Sequence, residues 1–341
     1  MDAFFVNVHI LENPQDQGVP LAVGGKPGQR GVIASASYEA RAKGVRSAMA
    51  SSKALKLCPE LKLVSSNRPM IRSCSVKVME ILARYGTLER MSVDEAFVDL
   101  SLQKNPEALV KTILKRIKSE TGLPSSAGLA TSKLVAKIAS DFEKPEGFTV
   151  VSPGTESKFL APLDIRKMYG IGPKTASLLN SLGIEKCSDI VSIDIQKLQS
   201  LFGQYSVNLK NKAKGIDNRP VDPSPWIAKQ QGTETTFESD IKEAKEVELA
   251  LLELSKEVSE SIEQMGKSAR TITIKIRWSD FTTITRQKTV PGEIHKSEDI
   301  YKVAKSLLFD NWEPGKPIRL LGVSASRLGV SDQQKLNLKF E

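Results

Sequence analysis

The sequence predicts a multi-domain α+β protein, and three observations carry that reading. Strands and helices alternate around an acidic bend at Asp94-Glu95, the pattern of an α+β core rather than a doubly wound sheet. After Pro153 the composition changes to short helices separated by tight glycine turns. Beyond a linker-like stretch, Val221-Asp222-Pro223-Ser224-Pro225, the order becomes strand, helix, two strands, helix, strand. A chain of 341 residues has room for several such domains.

Taken in order, Met1 to Val8 reads as the end of a strand running into a short helix, with Phe4-Phe5 at the junction. Val19 to Val23 predicts a short strand stopped by Gly24-Gly25, and Gly31 to Ala34 a second. On the helical start that follows, Ser35, Tyr38 and Arg41 recur every three residues and share a face. A hydroxyl, a phenol and a guanidinium at a helix start suit a polyphosphate, but they also fit an ordinary capped helix with an exposed arginine. Arg68 to Gly86 has helical spacing through Ile71, Cys74, Val78, Ile81 and Leu82.

The stretch from Met91 to Leu100 carries apolar residues at Met91 and Val93, then at Phe97, Val98 and Leu100. That pattern predicts two short strands meeting at a bend that holds both carboxylates. Alone, an Asp-Glu pair reads as an acidic surface turn. Adjacent carboxylates repel, however, and a hard ion such as Mg²⁺ relieves the repulsion, taking one or two carboxylates plus substrate phosphates.

Asn105 is the expected cap and Pro106 the first residue of a helix to Thr121, packed through Leu109, Ile113 and Ile117. Ser126 to Ala130 reads as a buried strand, and Ser132 to Phe142 as a helix ended by Pro145 and Gly147. Lys133, Lys137 and Lys144 share its flank, a pattern that is usually a solvated face. In the helical region, Gly170-Ile171-Gly172 makes a hairpin, with Pro173 opening a helix, Lys174 beside it and Leu178, Leu179 and Leu182 following. Backbone N–H groups exposed there form a sequence-blind phosphate site; a plain helical hairpin is the alternative.

Past the linker, Ile241 to Met265 spaces its apolar residues at threes and fours, and Gly266 stops the helix. The next strand alternates, with Ile272, Ile274, Ile276 and Trp278 inward and Thr271, Thr273, Lys275 and Arg277 outward. The outward face is left to meet an acidic surface. Ser331 to Glu341 reads as a polar tail.

A net charge of +9 and a pI near 9.3 make nucleic acid the first candidate partner. Three widely separated cysteines give no metal spacing and no disulfide framework, and two histidines argue against His-based catalysis or zinc. With no apolar run of membrane-spanning length and no signal peptide, a soluble cytoplasmic protein is expected.

Together the motifs resemble the Y-family DNA polymerases, most closely the bacterial DNA polymerase IV branch. They are Met1-Asp-Ala-Phe-Phe5, Ala36-Ser-Tyr-Glu-Ala-Arg41, Gly44-Val-Arg-Ser-Ala-Met49, Ser92-Val-Asp-Glu-Ala-Phe97, Ala136-Lys-Ile-Ala-Ser-Asp141, Lys144-Pro145 and Gly170-Ile-Gly172, in the family's order and spacing. The resemblance runs from Met1 to about Leu328 and implies a right-hand polymerase. Its palm would take 1–9 and 68–151, small fingers 10–67, a helical thumb with a helix-hairpin-helix motif 152–221, a linker 222–230 and an α/β little finger 231–328.

The resemblance also implies an error-prone DNA-directed DNA polymerase for translesion synthesis, without proofreading. Two Mg²⁺ ions per active site would support nucleotidyl transfer to a primer 3′-hydroxyl. Asp94 and Glu95 match the family's active-site carboxylates, and Met1 the position whose carbonyl helps hold the nucleotide's metal. Phe5 matches the steric gate against a 2′-hydroxyl. Tyr38, Arg41 and Lys144 match the residues holding the triphosphate, with Ser35 a weaker member. Primer-template DNA is expected at Gly170, Gly172, Lys174, Lys275 and Arg277. In the tail at 329–341, Gln333, Leu336 and Leu338 fit Gln-x-x-Leu-x-Leu, which resembles sliding-clamp-binding peptides. The expected state is a monomer.

Two departures stand out. The family motif reads Val-Asp-Met-Asp-x-Phe-Phe, with the first Asp a bridging metal ligand. This sequence opens on the motif's internal Met, and Asp2 is not that ligand, so weak or absent extension is the expectation for the chain as it stands. His9 stands where the family commonly carries Glu and reads as a surface histidine. A catalytically silent, DNA- and clamp-binding accessory protein is therefore the alternative, though Phe5, Asp94 and Glu95 favour the enzyme.

Overall fold

The computed structural model describes residues 1–26 and 28–330, so the tail positions Gln333, Leu336 and Leu338 lie outside the described residues. The chain divides into two compact units, one of Met1–Gly25 with Val32–Ser224, the other of Lys26–Gly31 with the residues from Pro225 on. Among the described residues no helix is long and apolar enough to cross a membrane.

The first unit opens with α1 (Phe4–Glu12), entered from Ala3 in the left-handed region at φ 40°; no strand precedes it among Met1–Ala3. A three-stranded sheet follows, built from β1 (Leu21–Gly24), β2 (Ile33–Ala36) and β3 (Lys62–Val64), with β1 in the centre. The short helices α2 (Tyr38–Ala42) and α3 (Ser51–Leu57) connect β2 to β3. Their small core holds Ala22, Ile33, Ala36, Val45, Ala54 and Cys58.

Next, α4 (Arg68–Ala83) and α5 (Pro106–Thr121) flank the hairpin of β4 (Thr87–Arg90) and β5 (Ala96–Asp99). The expected cap is in place: the Asn105 side chain accepts the Ala108 N–H at 3.2 Å. Phe4, Val8, Ile71, Cys74, Val78, Ile113 and Ile117 bury the apolar stripes of α1, α4 and α5 together. Met91 and Val93 are exposed on the turn and not in the first strand, which ends at Arg90; their apolar character had imitated strand alternation. A separate pair, β6 (Ala127–Leu129) and β7 (Phe148–Val150), runs parallel through α6 (Lys133–Ser140). β6 is only half-buried, contrary to the sequence reading.

The short helices α7 (Glu156–Leu160), α8 (Pro173–Asn180), α9 (Cys187–Ser192), α10 (Ile195–Phe202) and α11 (Tyr205–Ala213) pack on α6 around Leu160, Met168, Leu179, Cys187, Leu198 and Leu209. Cys58, Cys74 and Cys187 are thus free, buried thiols in three different cores.

The second unit is β8 (Gln230–Ile241), α12 (Ala244–Gln264), β9 (Lys267–Trp278), β10 (Thr283–Ile294), α13 (Ser297–Phe309), β11 (Ile318–Ser326) and β12 (Gly329–Val330). Its sheet runs β10-β9-β11-β8, and α12 and α13 cover one face over Leu251, Ile272, Ile274, Ile276 and Leu308. Ile241 ends β8 and does not begin the helix, so the apolar spacing continued through a strand end. Thr271 departs from the outward set: it is buried and bonded to Thr289 Oγ1 of the paired strand β10 at 2.9 Å.

Candidate active site

The turn from Met91 to Glu95 is tied down on every side. Met91 and Ser92 donate their N–H groups to the Glu95 carbonyl at 2.9 and 3.2 Å. The Ser75 hydroxyl of α4 donates to the Val93 carbonyl, and the Arg90 guanidinium donates to Ser75 Oγ at 2.9 Å and to the Ser92 carbonyl at 3.1 Å. The Ser92 hydroxyl donates to Asp94 Oδ1 at 2.7 Å, and the Met1 nitrogen to the Asp94 carbonyl at 2.8 Å. Both carboxylates remain partly open to a cavity of about 220 Å³ whose wall includes Met1, Asp94, Glu95, Lys137 and Lys144.

Asp2 is turned the other way. It is completely buried, and its Oδ2 accepts the Ser126 hydroxyl at 2.8 Å and the Glu146 N–H at 2.9 Å. That N–H belongs to the segment after Lys144, so Asp2 braces the site's wall from behind; it does not line the cavity, and its Oδ1 is buried without a protein partner.

The lysine flank of α6 is not a solvated face. Lys133 is 10 % exposed and donates to Glu89 Oε2 at 2.6 Å, an oxygen that also accepts the Asp222 N–H at 2.8 Å. Lys137 reaches Glu95 Oε1 at 2.6 Å and Asp141 Oδ2 at 3.1 Å, while Lys144 holds Asp141 Oδ1 at 2.7 Å. Burial works to lower the Lys137 pKa, but Glu95 and Asp141 outweigh it and raise the pKa overall. Burial works to raise that of Asp141, and Lys144 and Lys137 bring it below the ordinary value.

Tyr38 supplies an orphaned group: its hydroxyl is buried with no protein partner. Burial pushes its pKa up, Asp2 and Asp141 add to that, and Arg41 opposes it. Arg41 lies over the Tyr38 ring at 4.8 Å and spends its Nε on the Ala36 carbonyl at 2.9 Å. Among the described residues its terminal nitrogens have no partner. Ser35 is not on this helical face. It sits in β2 opposite Val23, and Ser37 caps α2 by accepting the Ala40 N–H. The five-residue α2 is too short to carry a helix-start anion site, so side chains supply the charge. Phe5 is half-buried in the first turn of α1, its ring 6.0 Å from that of Phe4.

Two further sites take shape elsewhere. At the glycine hairpin Gly170 has φ 93°, Ile171 is buried and Lys174 is exposed at the start of α8. The Lys212 ammonium stands beside it, 3.4 Å from the Tyr205 hydroxyl and 3.5 Å from the Tyr169 carbonyl. Nothing in the sequence pairs Lys212 with the hairpin, some forty residues away. On the open face of the second unit's sheet, Lys275 donates to Glu234 at 2.7 Å across Gly322, and Arg277 Nε to Thr283 Oγ1 at 2.9 Å. His9 is no surface histidine either: its Nε2 lies 2.8 Å from buried Asp16, which also takes Lys62.

The impB/mucB/samB family profile matches residues 1–141, the family's C-terminal domain 228–338 and its HHH motif 153–184. DNA polymerase IV of Dehalococcoides mccartyi (strain CBDB1) is 41 % identical over 338 residues, 97 % of this chain and 85 % of the relative. DNA polymerase IV of Clostridium perfringens (strain ATCC 13124) is 37 % identical over 348 residues, 100 % of this chain and 97 % of the relative. The chain belongs to the Y-family DNA polymerases, in the bacterial DNA polymerase IV branch. It is a DNA-directed DNA polymerase of translesion synthesis, and the accessory-protein alternative is not favoured.

Solved structures agree. A Y-family polymerase chimera, Dbh-Dpo4(243-245)-Dbh, superposes with TM-score 0.87 at 28 % identity, covering 97 % of this chain and 98 % of that one. DinB from Sulfolobus solfataricus gives 0.64 at 29 % identity, covering 95 % and 96 %. The polymerase therefore has the family's palm, small fingers, helical thumb and little finger, and Y-family polymerases generally use divalent metal ions.

Proposed function

We propose that this polymerase, a cytoplasmic monomer, extends a primer 3′-hydroxyl at the Asp94-Glu95 turn with a deoxynucleoside triphosphate held by Tyr38, Arg41 and Lys144. The observation that carries the reading is a braced, partly open acidic turn in the same unit as an orphaned Tyr38 hydroxyl and unspent Arg41 nitrogens. Both need a ligand to complete them. A triphosphate supplies oxygens for the phenol and guanidinium and brings a cation to the carboxylates.

The donor set fits a hard divalent ion that also takes substrate phosphate oxygens. Asp94, Glu95 and the Met1 carbonyl are the protein ligands, while no three His, Cys, Asp or Glu side chains among the described residues are placed to hold an ion alone. Asp94, Glu95 and the Met1 carbonyl would hold Mg²⁺, two ions in the full reaction, which would supply a lowered pKa to the attacking hydroxyl and neutralise charge on the leaving pyrophosphate. Phe5 lies against the sugar and excludes a 2′-hydroxyl. Fingers this small give little binding energy for checking base-pair shape, which fits an error-prone enzyme.

Primer-template DNA is held through its phosphates by the Gly170-Ile171-Gly172 hairpin with Lys174, and by the Thr-rich sheet face with Lys275 and Arg277. The tail peptide with Gln333, Leu336 and Leu338 takes the sliding clamp. Deleting residues 331–341 is expected to remove clamp-stimulated processivity and spare distributive synthesis.

The decisive variant is Asp94→Ala. Measured in a parent that carries a short strand ending in Val-Asp before Met1, it is expected to abolish primer extension while primer-template affinity stays within a few-fold, because DNA is held by phosphate contacts elsewhere. Extension near the parent rate would remove the turn from the active site.

A further inference from the structure

Glu95, Lys137, Asp141 and Lys144 form an unbroken line of alternating charges. The Lys137 ammonium stands 2.6 Å from Glu95 and 3.1 Å from Asp141, and the other Asp141 oxygen stands 2.7 Å from Lys144. Lys137 is 20 % exposed and Lys144 24 %, so both ammonium groups are only partly open to solvent. Beneath Lys137 the backbone of α6 is closely packed on β6. A Cβ on Gly128 would lie 2.2 Å from the Ala136 carbonyl oxygen, so β6 and α6 meet at closest approach one residue before Lys137. Exchange of side-chain partners is the smallest rearrangement that redistributes these charges.

We propose that this line is an ion-pair exchange in which Lys137 occupies Glu95 until a triphosphate takes Lys144. Lys144 then leaves Asp141 for phosphate oxygens. Asp141 is left with one cationic partner and draws Lys137 toward itself. Glu95 loses its ammonium and is free for the cation that arrives with the nucleotide. Lys137 and Asp141 are therefore positioning residues that make cation and nucleotide binding depend on each other, and the dependence is reciprocal. The inference rests on the active-site reading above.

The exchange predicts effects of opposite sign for two neighbouring variants. Mn²⁺ alone, followed by electron paramagnetic resonance on the protein with a dideoxy-terminated primer-template, reads the cation affinity. Lys137→Met removes the competing ammonium and is expected to tighten Mn²⁺ about five-fold. Asp141→Asn leaves Lys137 to Glu95 alone and is expected to weaken it. In both variants the gain in Mn²⁺ affinity produced by adding dATP falls toward one, and Lys137→Arg restores that gain. Thermal melting identifies any variant that has lost its fold, and Lys137→Arg keeps the test open if Lys137→Met has. Equal shifts of the same sign in the first two variants, or an undiminished gain, overturn the exchange. Asp94→Ala is the control for the site: if it leaves Mn²⁺ and dATP binding unchanged, the site itself is misplaced, whichever way the other variants fall.

Discussion

The carboxylate of Asp2 accepts the backbone N–H of Glu146, 144 positions away in the chain, at 2.9 Å. The same oxygen takes the Ser126 hydroxyl, so one buried side chain joins the start of α1 to the β6 edge and to the loop behind Lys144. Asp2→Ala removes the acceptor of that partly buried N–H and of the Ser126 hydroxyl, which costs about 1–3 kcal/mol. A urea titration is expected to show a lower midpoint with an unchanged slope, together with weaker nucleotide binding. An unaltered midpoint would mean that water replaces the carboxylate without penalty.

Phe5→Ala is expected to admit ribonucleotides, since exclusion by an aromatic ring is steric. Phe5 also packs between the core of α1, α4 and α5 and that of Val6, Leu21 and Val23. A half-buried ring of this size loses about 2 kcal/mol of stability on truncation. The informative measurement is the ratio of ribo- to deoxynucleotide incorporation, which should rise by orders of magnitude. A constant ratio with lower overall activity would assign Phe5 to packing alone.

Lys212 is expected to share a backbone phosphate with the Gly170-Ile171-Gly172 hairpin. Lys212→Ala should weaken primer-template binding evenly across sequences and reduce the slope of log K against log salt by about one. Lys275→Ala should change that slope less, because Lys275 already has Glu234 as a partner. The reverse ranking would point to the sheet face as the stronger phosphate contact.

Asp16 provides a pH test. Hydrogen bonds from Lys62 and His9 hold its pKa below the ordinary 3.8. A depressed carboxyl pKa adds stability that is fully present above the unfolded value and disappears as pH falls through the folded one. Asp16→Asn should therefore be less stable than the parent at neutral pH, with the gap closing below about pH 4. A gap that does not narrow at all as pH falls below about 4 would show that shape, and not charge, makes the contact.

Local signals were legible where one segment carried them entire. Asn105-Pro106 marked the start of α5, and the alternation of Ile272, Ile274, Ile276 and Trp278 gave the buried face of β9. The Asp94-Glu95 bend was legible because carboxylates amid apolar residues have few other places to go. What failed depended on partners from elsewhere in the chain. The α6 lysines looked solvated because Glu89 and Glu95 lie on a different hairpin. Ser35 and Ser37 look alike in Ser-Ala-Ser, and only pairing with β1 decides which of them stays in the strand. Lys137 with Asp141 had a helical four-residue spacing that could have been noticed, whereas His9 with Asp16 and Lys62 had no comparable sign.

The three buried thiols give the molecule its own set of opening probes. A reagent that reacts only with an exposed thiolate would label Cys58, Cys74 and Cys187 at rates set by how often each core comes apart. Burial pushes the Cys187 thiol up to about 11, so its labelling at neutral pH should wait for the thumb helices to separate. Mass spectrometry of the labelled peptides would then time each region independently. Comparing protein alone, with DNA, and with DNA plus nucleotide would show which part of the hand tightens at each stage.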